Sequence, residues 1–300
     1  MARNTTATLA GALATVIGSA IWGVIWLPVQ HIDQLGVSGL WSVLLIQPAA
    51  ALAALIFLLL AGELRHLKEP DNWAVGACMG LSTMLYFAGI LLSDVVRVIF
   101  LFYTLPVWTI LWNAIFFRKT PIPRHYIVIL IALIGLWLLL SGGKSWVPKP
   151  QNIGDWCGLI AGAAWGLGLT LLENRQNSSA KASSFTSFMF AATFALIALL
   201  LTKDAAFNAI NLESLRIGVP LAILVGIGFQ FPILYLVVWG GQRLTAPTAA
   251  LLTMSEILAA TLSATLILGN ALNNIAWLGG AIIVFAAVVD IVGDIRTTRT

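Results

Sequence analysis

A single acidic residue, Glu256, sits inside an otherwise apolar stretch, between Met254-Ser255 and Ile257-Leu258. An ionisable group at such depth is costly unless it faces a cavity or a partner. Facing a cavity, it could bind a substrate ammonium or take up a proton. Protonated or hydrogen-bonded instead, it would simply tie helices together. Gln230, on the Gly226-x-Gly228 stretch before Phe231-Pro232, is the most conspicuous neutral polar group at depth. Aromatic residues supply the other chemistry, since a ring set deep in a membrane protein can stack on a flat solute. The deep ones are Trp22, Tyr86, Tyr103, Trp108, Trp112, Trp165 and Tyr235, each open to the plainer reading of packing or lipid contact. The candidate substrate-binding set is therefore Trp22, Tyr86, Tyr103, Trp108, Trp165, Gln230, Tyr235 and Glu256. Arg97 stands three residues after Asp94, a spacing that suits an ion pair at a helix start. Glu173 and Arg175 read as interface charges that snorkel.

The elements that must hold these residues are membrane spans. Hydrophobic residues make up 60% of the chain and charged residues 9%, against about 25% charged in a soluble domain; mean hydropathy is +0.96. Charge-free stretches run from Asn4 to Ile32, Gln34 to Gly62 and Asn72 to Ser93, and onward at similar intervals to Ile257–Val289. Each is long enough for a helix of roughly 20 residues to cross the hydrocarbon. The pattern predicts an all-α membrane protein with ten spans. They fall near 7–29, 38–60, 73–92, 96–117, 125–142, 155–174, 184–202, 217–239, 246–268 and 275–293. Alternating strands of a membrane barrel are absent.

Five spans look written twice. Ser19-Ala20-Ile21-Trp22-Gly23 is echoed by Gly162-Ala163-Ala164-Trp165-Gly166, and Leu101–Phe117 by Leu252–Leu268. Five is odd, so the second copy must lie inverted, the arrangement in which many carriers alternate access around a midplane site. The halves are expected at 1–143 and 144–300. Gly158-x-x-x-Gly162-x-x-x-Gly166 and Gly76-x-x-x-Gly80 suit close helix packing in lipid. Pro48, Pro106, Pro232 and Pro247 are expected to bend spans two, four, eight and nine.

The net charge of +4 follows loop asymmetry rather than nucleic-acid binding. With the N-terminus in the cytoplasm, that side collects Arg3, Arg65, Lys68, Arg118, Lys119, Arg124, Arg175, Lys181, Arg243, Arg296 and Arg299. The other side holds Arg97, Lys144, Lys149, Lys203 and Arg216. Both termini are expected inside, with the first span retained. Trp41, Trp73, Trp146, Trp156, Trp239 and Trp277 suit an interfacial belt. Cys78 and Cys157 read as small core residues. His31, His66 and His125 lie in loops or at span ends. Without H-E-x-x-H, paired intramembrane Asp or a phosphate loop, neither an enzyme nor a cofactor is expected.

Ten spans in two halves, the Trp-Gly pairs, and Pro106 within Phe102-Tyr103-Thr104-Leu105-Pro106-Val107-Trp108 resemble the EamA-type carriers of the drug/metabolite transporter superfamily. Within it, Tyr103–Phe117 is most similar to the YddG-type exporters of aromatic amino acids. The resemblance implies a bacterial inner-membrane exporter whose spans one, three, four, six, eight and nine surround a cavity, with five and ten aside. It supports Trp22, Tyr103 and Trp165 as cavity residues. Where the family has Glu-Pro in span nine, this chain has Glu256-Ile257, which leaves that kink open. The expected partners are the bilayer and a small solute: an aromatic or small neutral amino acid, or a similar metabolite. A proton-coupled exporter of cationic drugs is the alternative. The working expectation is a monomer.

Overall fold

The computed structural model describes residues 5–37, 39–120, 122–143, 149–175, 177–201, 212–269 and 271–297. Ten helices long and apolar enough to cross a membrane run through them. Spans one to five are Thr5–Gln34, Leu40–Leu60, Pro70–Leu92, Val95–Phe117 and Pro123–Ser141. Spans six to ten are Ile153–Asn174, Ala180–Leu201, Glu213–Gly241, Ala246–Leu268 and Asn274–Arg296. The first span runs to Gln34 rather than 29, because Pro28 falls in the first turn of a second helical piece, Trp26–Gln34. An N–H is dispensable there. Arg3, Lys144, Trp146, Lys203 and Arg299 lie outside the described residues, and the expected junction at 143–144 borders them. Ten crossings put Thr5 and Arg296 on one side, called here the terminal face; the other is the far face.

Close glycine contacts set the register of the two halves. A methyl on Gly23 of span one would meet the Glu256 carbonyl oxygen, the Ala259 side chain and the Ala260 nitrogen of span nine. A methyl on Gly166 of span six would meet the Leu105 carbonyl oxygen, the Trp108 side chain and the Thr109 nitrogen of span four. The same atoms recur in the same order with the halves exchanged. A second pair agrees. Gly80 of span three abuts the Ser187 carbonyl, Phe190 and Ala191 of span seven, while Gly226 of span eight abuts the Ile46 carbonyl, Ala49 and Ala50 of span two. Two inverted five-helix repeats produce this exchange. Spans five and ten pack on each other through Gly135 and Gly279. They stand aside from the central helices.

Four spans are interrupted near mid-depth. Span one breaks between Trp22 and Trp26, and span four between Phe102 and Leu105, where Pro106 lacks an N–H. Span eight carries a π-helical turn at Gly226–Gln230 before Pro232. Span nine breaks at Met254 although no proline follows Glu256. There the Thr253 hydroxyl donates to the Ala250 carbonyl at 2.7 Å, and the Ser255 hydroxyl to the Val16 carbonyl of span one at 3.2 Å. Hydroxyls bonding back to helix carbonyls bend helices without proline. Pro48 lies inside an uninterrupted Leu40–Leu60, and Pro247 in the first turn of its helix. Neither makes a break.

Candidate functional site

The breaks of spans one, four and nine meet at a cavity in two compartments. The inner one, about 20 Å³, is bordered by Ser19, Trp22, Ser82, Tyr86, Phe102, Trp165, Thr253 and Glu256, among others. That volume holds one water molecule. The outer one, about 540 Å³, widens from the same floor past Trp26, Gln30, Asp33, Val95 and Ala264 toward the far face. It is large enough for a small organic solute. Trp22, Tyr86, Phe87 and Glu256 border both compartments. They form the floor. The inner compartment draws on spans one, three, four, six, eight and nine.

Aromatic rings make most of this floor. Trp22 meets Trp165 edge to face, centroids 5.8 Å apart, so the paired tryptophans of the repeat do touch. Phe102 lies 6.5 Å from Trp165, 4.7 Å from Tyr86 and 5.2 Å from Tyr103. The Trp165 Nε1–H is buried and has no hydrogen-bond partner. The Tyr103 hydroxyl, also buried, is turned toward the Glu256 carboxyl without closing a well-formed bond. Glu256 stands in the first turn of Ser255–Leu268, where the helix dipole favours a carboxylate. Its side chain is partly exposed to the cavity. Among the described residues, the cavity carries Glu256 and Asp33 and no Lys, Arg or His.

The structure brings Trp22, Tyr86, Trp165 and Glu256 together, with Tyr103 packed against them. It places Trp108, Gln230 and Tyr235 elsewhere. Trp108 stacks on Trp112 and donates to Thr104 Oγ1 at 3.2 Å, on the terminal half of span four. Gln230 closes the π-helical turn and is buried away from the cavity. Tyr235 packs on Phe57 at 5.3 Å and borders a terminal-face pocket with Glu63 and Lys181. Depth along a span says nothing about which way a side chain faces, and these three border neither compartment. Ser19, Ser82, Phe87, Phe102 and Thr253 are additions to the cavity; each sits within a turn of a residue already singled out.

Below the floor, toward the terminal face, the interior is shut. Leu105, Thr109, Leu169 and Ala246 are fully buried. Three charge readings change here. Glu173 does not snorkel: it is 7% exposed, and accepts from Asn113 Nδ2 at 3.1 Å, Lys119 Nζ at 2.7 Å and the Ala246 N–H at 2.9 Å. Arg97 pairs with Asp155 of span six, Nε to Oδ2 2.8 Å, while Asp94 caps the Arg97 N–H. Paired intramembrane acids do exist: Asp290 and Asp294 are buried one turn apart in span ten. Arg124, at the start of span five, bonds both, and Thr248 donates to them at 2.6 and 2.8 Å. At Glu63, between spans two and three, the bonded Lys181 ammonium holds the carboxyl below its ordinary range.

An inverted helical pair enclosing a midplane cavity is the build of a membrane carrier. The family model of EamA-like transporters matches residues 9–141 and again 152–291. The chain belongs to that family. A solved crystal structure superposes with a TM-score of 0.71 at 18% identity, covering 96% of each chain, and so shares the fold. No functionally curated protein matches the chain.

Proposed function

We propose that this EamA-family protein is an alternating-access exporter of a bacterial inner membrane, acting as a monomer with both termini in the cytoplasm. Its solutes are aromatic and small neutral amino acids and similar metabolites. The observation that carries the reading is the cavity itself, solute-sized, with an aromatic floor that holds the Glu256 carboxylate. A substrate ring lies against Trp22, Tyr86 and Phe87, and its ammonium meets Glu256. The unpaired Trp165 Nε1–H is a ready donor for the substrate carboxylate. The bilayer is then crossed by exchanging which half is open, as inverted repeats allow.

The second reading, cationic solutes exchanged for protons at Glu256, is favoured by the lack of a basic side chain in the cavity lining. Counterflow in liposomes separates the two. Saturable exchange of labelled tryptophan or phenylalanine, insensitive to a pH gradient, supports amino-acid export. Exchange confined to permanently cationic amines and driven by the gradient supports the second reading. Equal, unsaturable leak of all solutes refutes a carrier.

A further inference from the structure

We infer that Glu173 is the latch of the terminal-side gate, and that the residues it locks away are the lining of a second, terminal-facing cavity. The argument comes from the register of the repeats. Seven residues after the glycine of each Trp-Gly pair stand Gln30 in span one and Glu173 in span six. Thr109 and Ala260 occupy equivalent places, and four residues beyond them come Asn113 and Ala264. Val95 and Ala246 each open a half-helix behind a capping residue, Asp94 and Thr245. Gln30, Val95 and Ala264 all border the open outer cavity. Of their counterparts, Glu173 accepts a bond from both Asn113 and the Ala246 N–H. What is open on the far face is closed, position for position, on the terminal face.

The closure is chemically one-sided. Glu173 joins span six to span four through Asn113, to the turn after it through Lys119, and to the start of span nine through the Ala246 N–H. Asn174 adds a bond to Asn113 at 2.9 Å. Gln30, Val95 and Ala264 offer no carboxylate for the same purpose. Span nine is meanwhile held to the scaffold, because Thr245 and Thr248 donate to the acids of span ten. Loss of the latch therefore removes the Glu173 bonds of span six to spans four and nine, leaving Asn174 on Asn113 and Trp112 on the Ala163 carbonyl, and does not release span nine from span ten. A small cleft of about 80 Å³ already borders Glu173, Asn113, Lys119 and Pro247 at the terminal face.

The inference rests on the alternating-access reading but on no particular solute, so it is tested without one. In a Cys78→Ala/Cys157→Ala background, single cysteines replace Thr109 or Leu172, both buried, and their counterparts Ala260 or Val29, which border the open cavity. A membrane-impermeant maleimide is applied to purified full-length protein. Glu173→Gln, which keeps the size, and Glu173→Ala should speed labelling at 109 and 172 by about tenfold to a hundredfold, the range of one charge-assisted hydrogen bond. Labelling at 29 and 260 should slow. Asn113→Ala should act in the same direction. Unchanged rates at 109 and 172 in all three variants overturn the latch alone. Faster labelling of both sets together means the halves part without exchanging, and overturns alternating access as well.

Discussion

Replacing Glu256 by Gln keeps the shape of the cavity floor and removes its charge, so the variant isolates what the carboxylate does for an ammonium. Two unit charges about 4 Å apart attract by about 1 kcal/mol in water and about 4 kcal/mol at the effective dielectric of a protein surface. A hydrogen bond to a charged group contributes about 1.5–3 kcal/mol, inside those limits. Glu256 opens onto a water-accessible cavity, so the lower part of the range applies. Each 1.4 kcal/mol is about a factor of ten in affinity. The expectation is a loss of about tenfold for an aromatic amine or amino acid. An isostere with a hydroxyl in place of the ammonium carries no full charge for the carboxylate to pair, so its loss should be smaller than that of the ammonium. Titration calorimetry of both ligands against both proteins completes the cycle. Equal losses for the two ligands would refute the reasoning, since the carboxylate would then serve packing and not charge.

Trp165→Phe preserves the ring against Trp22 and deletes the unpaired N–H; an amino acid should bind up to about tenfold more weakly, an amine lacking the carboxylate equally well, by the same titration. Gly162→Val forces a side chain to within 2.3 Å of the Phe102 carbonyl. Overpacking of that kind costs about 1–3 kcal/mol, so the melting temperature should fall, whereas Gly228→Ala, with nothing within 4 Å, should leave it nearly unchanged. The Glu63–Lys181 pair predicts a pH effect. Because the folded-state pKa of Glu63 is depressed, its contribution is complete above the ordinary carboxylate value of 4.5 and fades as pH falls through the lower value. Wild-type stability should therefore drop in that acid window by up to about 1 kcal/mol more than Glu63→Gln, a modest amount for a partly exposed pair; thermal melts of the two proteins at matched pH measure it.

Much of the fold was legible because lipid imposes one simple rule, a long uncharged stretch for each crossing. The Trp-Gly echo carried the inverted repeat, and Trp22 and Trp165 do meet. Direction of facing was not legible. Tyr86 and Tyr235 are both deep aromatics, yet one borders the cavity and the other packs on Phe57. A helix apolar all round gives no moment from which to read its inner side. Glu173 was misread for a related reason. An acid near a span end suits snorkelling, and its partners are distant in sequence: Asn113, Lys119 and the Ala246 N–H. The kink of span nine escaped because the sequence signal sought was proline, while hydroxyls make the break.

On the alternating-access reading, duplication gives the molecule two equivalent gates, but the chemistry at them has diverged. At the floor, Glu256 of span nine occupies the place that Leu105 holds in span four, so only one half carries the cavity's deep charge. At the equivalent gate positions, span six has the carboxylate Glu173 and span one the amide Gln30, with Asp33 further out on the far-face cavity wall. A perfectly symmetric pair would populate its two open states equally. Each substitution that distinguishes the halves tilts that balance, and hydrogen bonds spent on closing one side can only favour the other being open. The terminal side has the Glu173 bonds and the nearby anchoring of Thr245 and Thr248 on span ten. The cavity of this structure widens toward the far face, and on the alternating-access reading proposed above a solute from the terminal side has to compensate for the latch before it reaches Glu256.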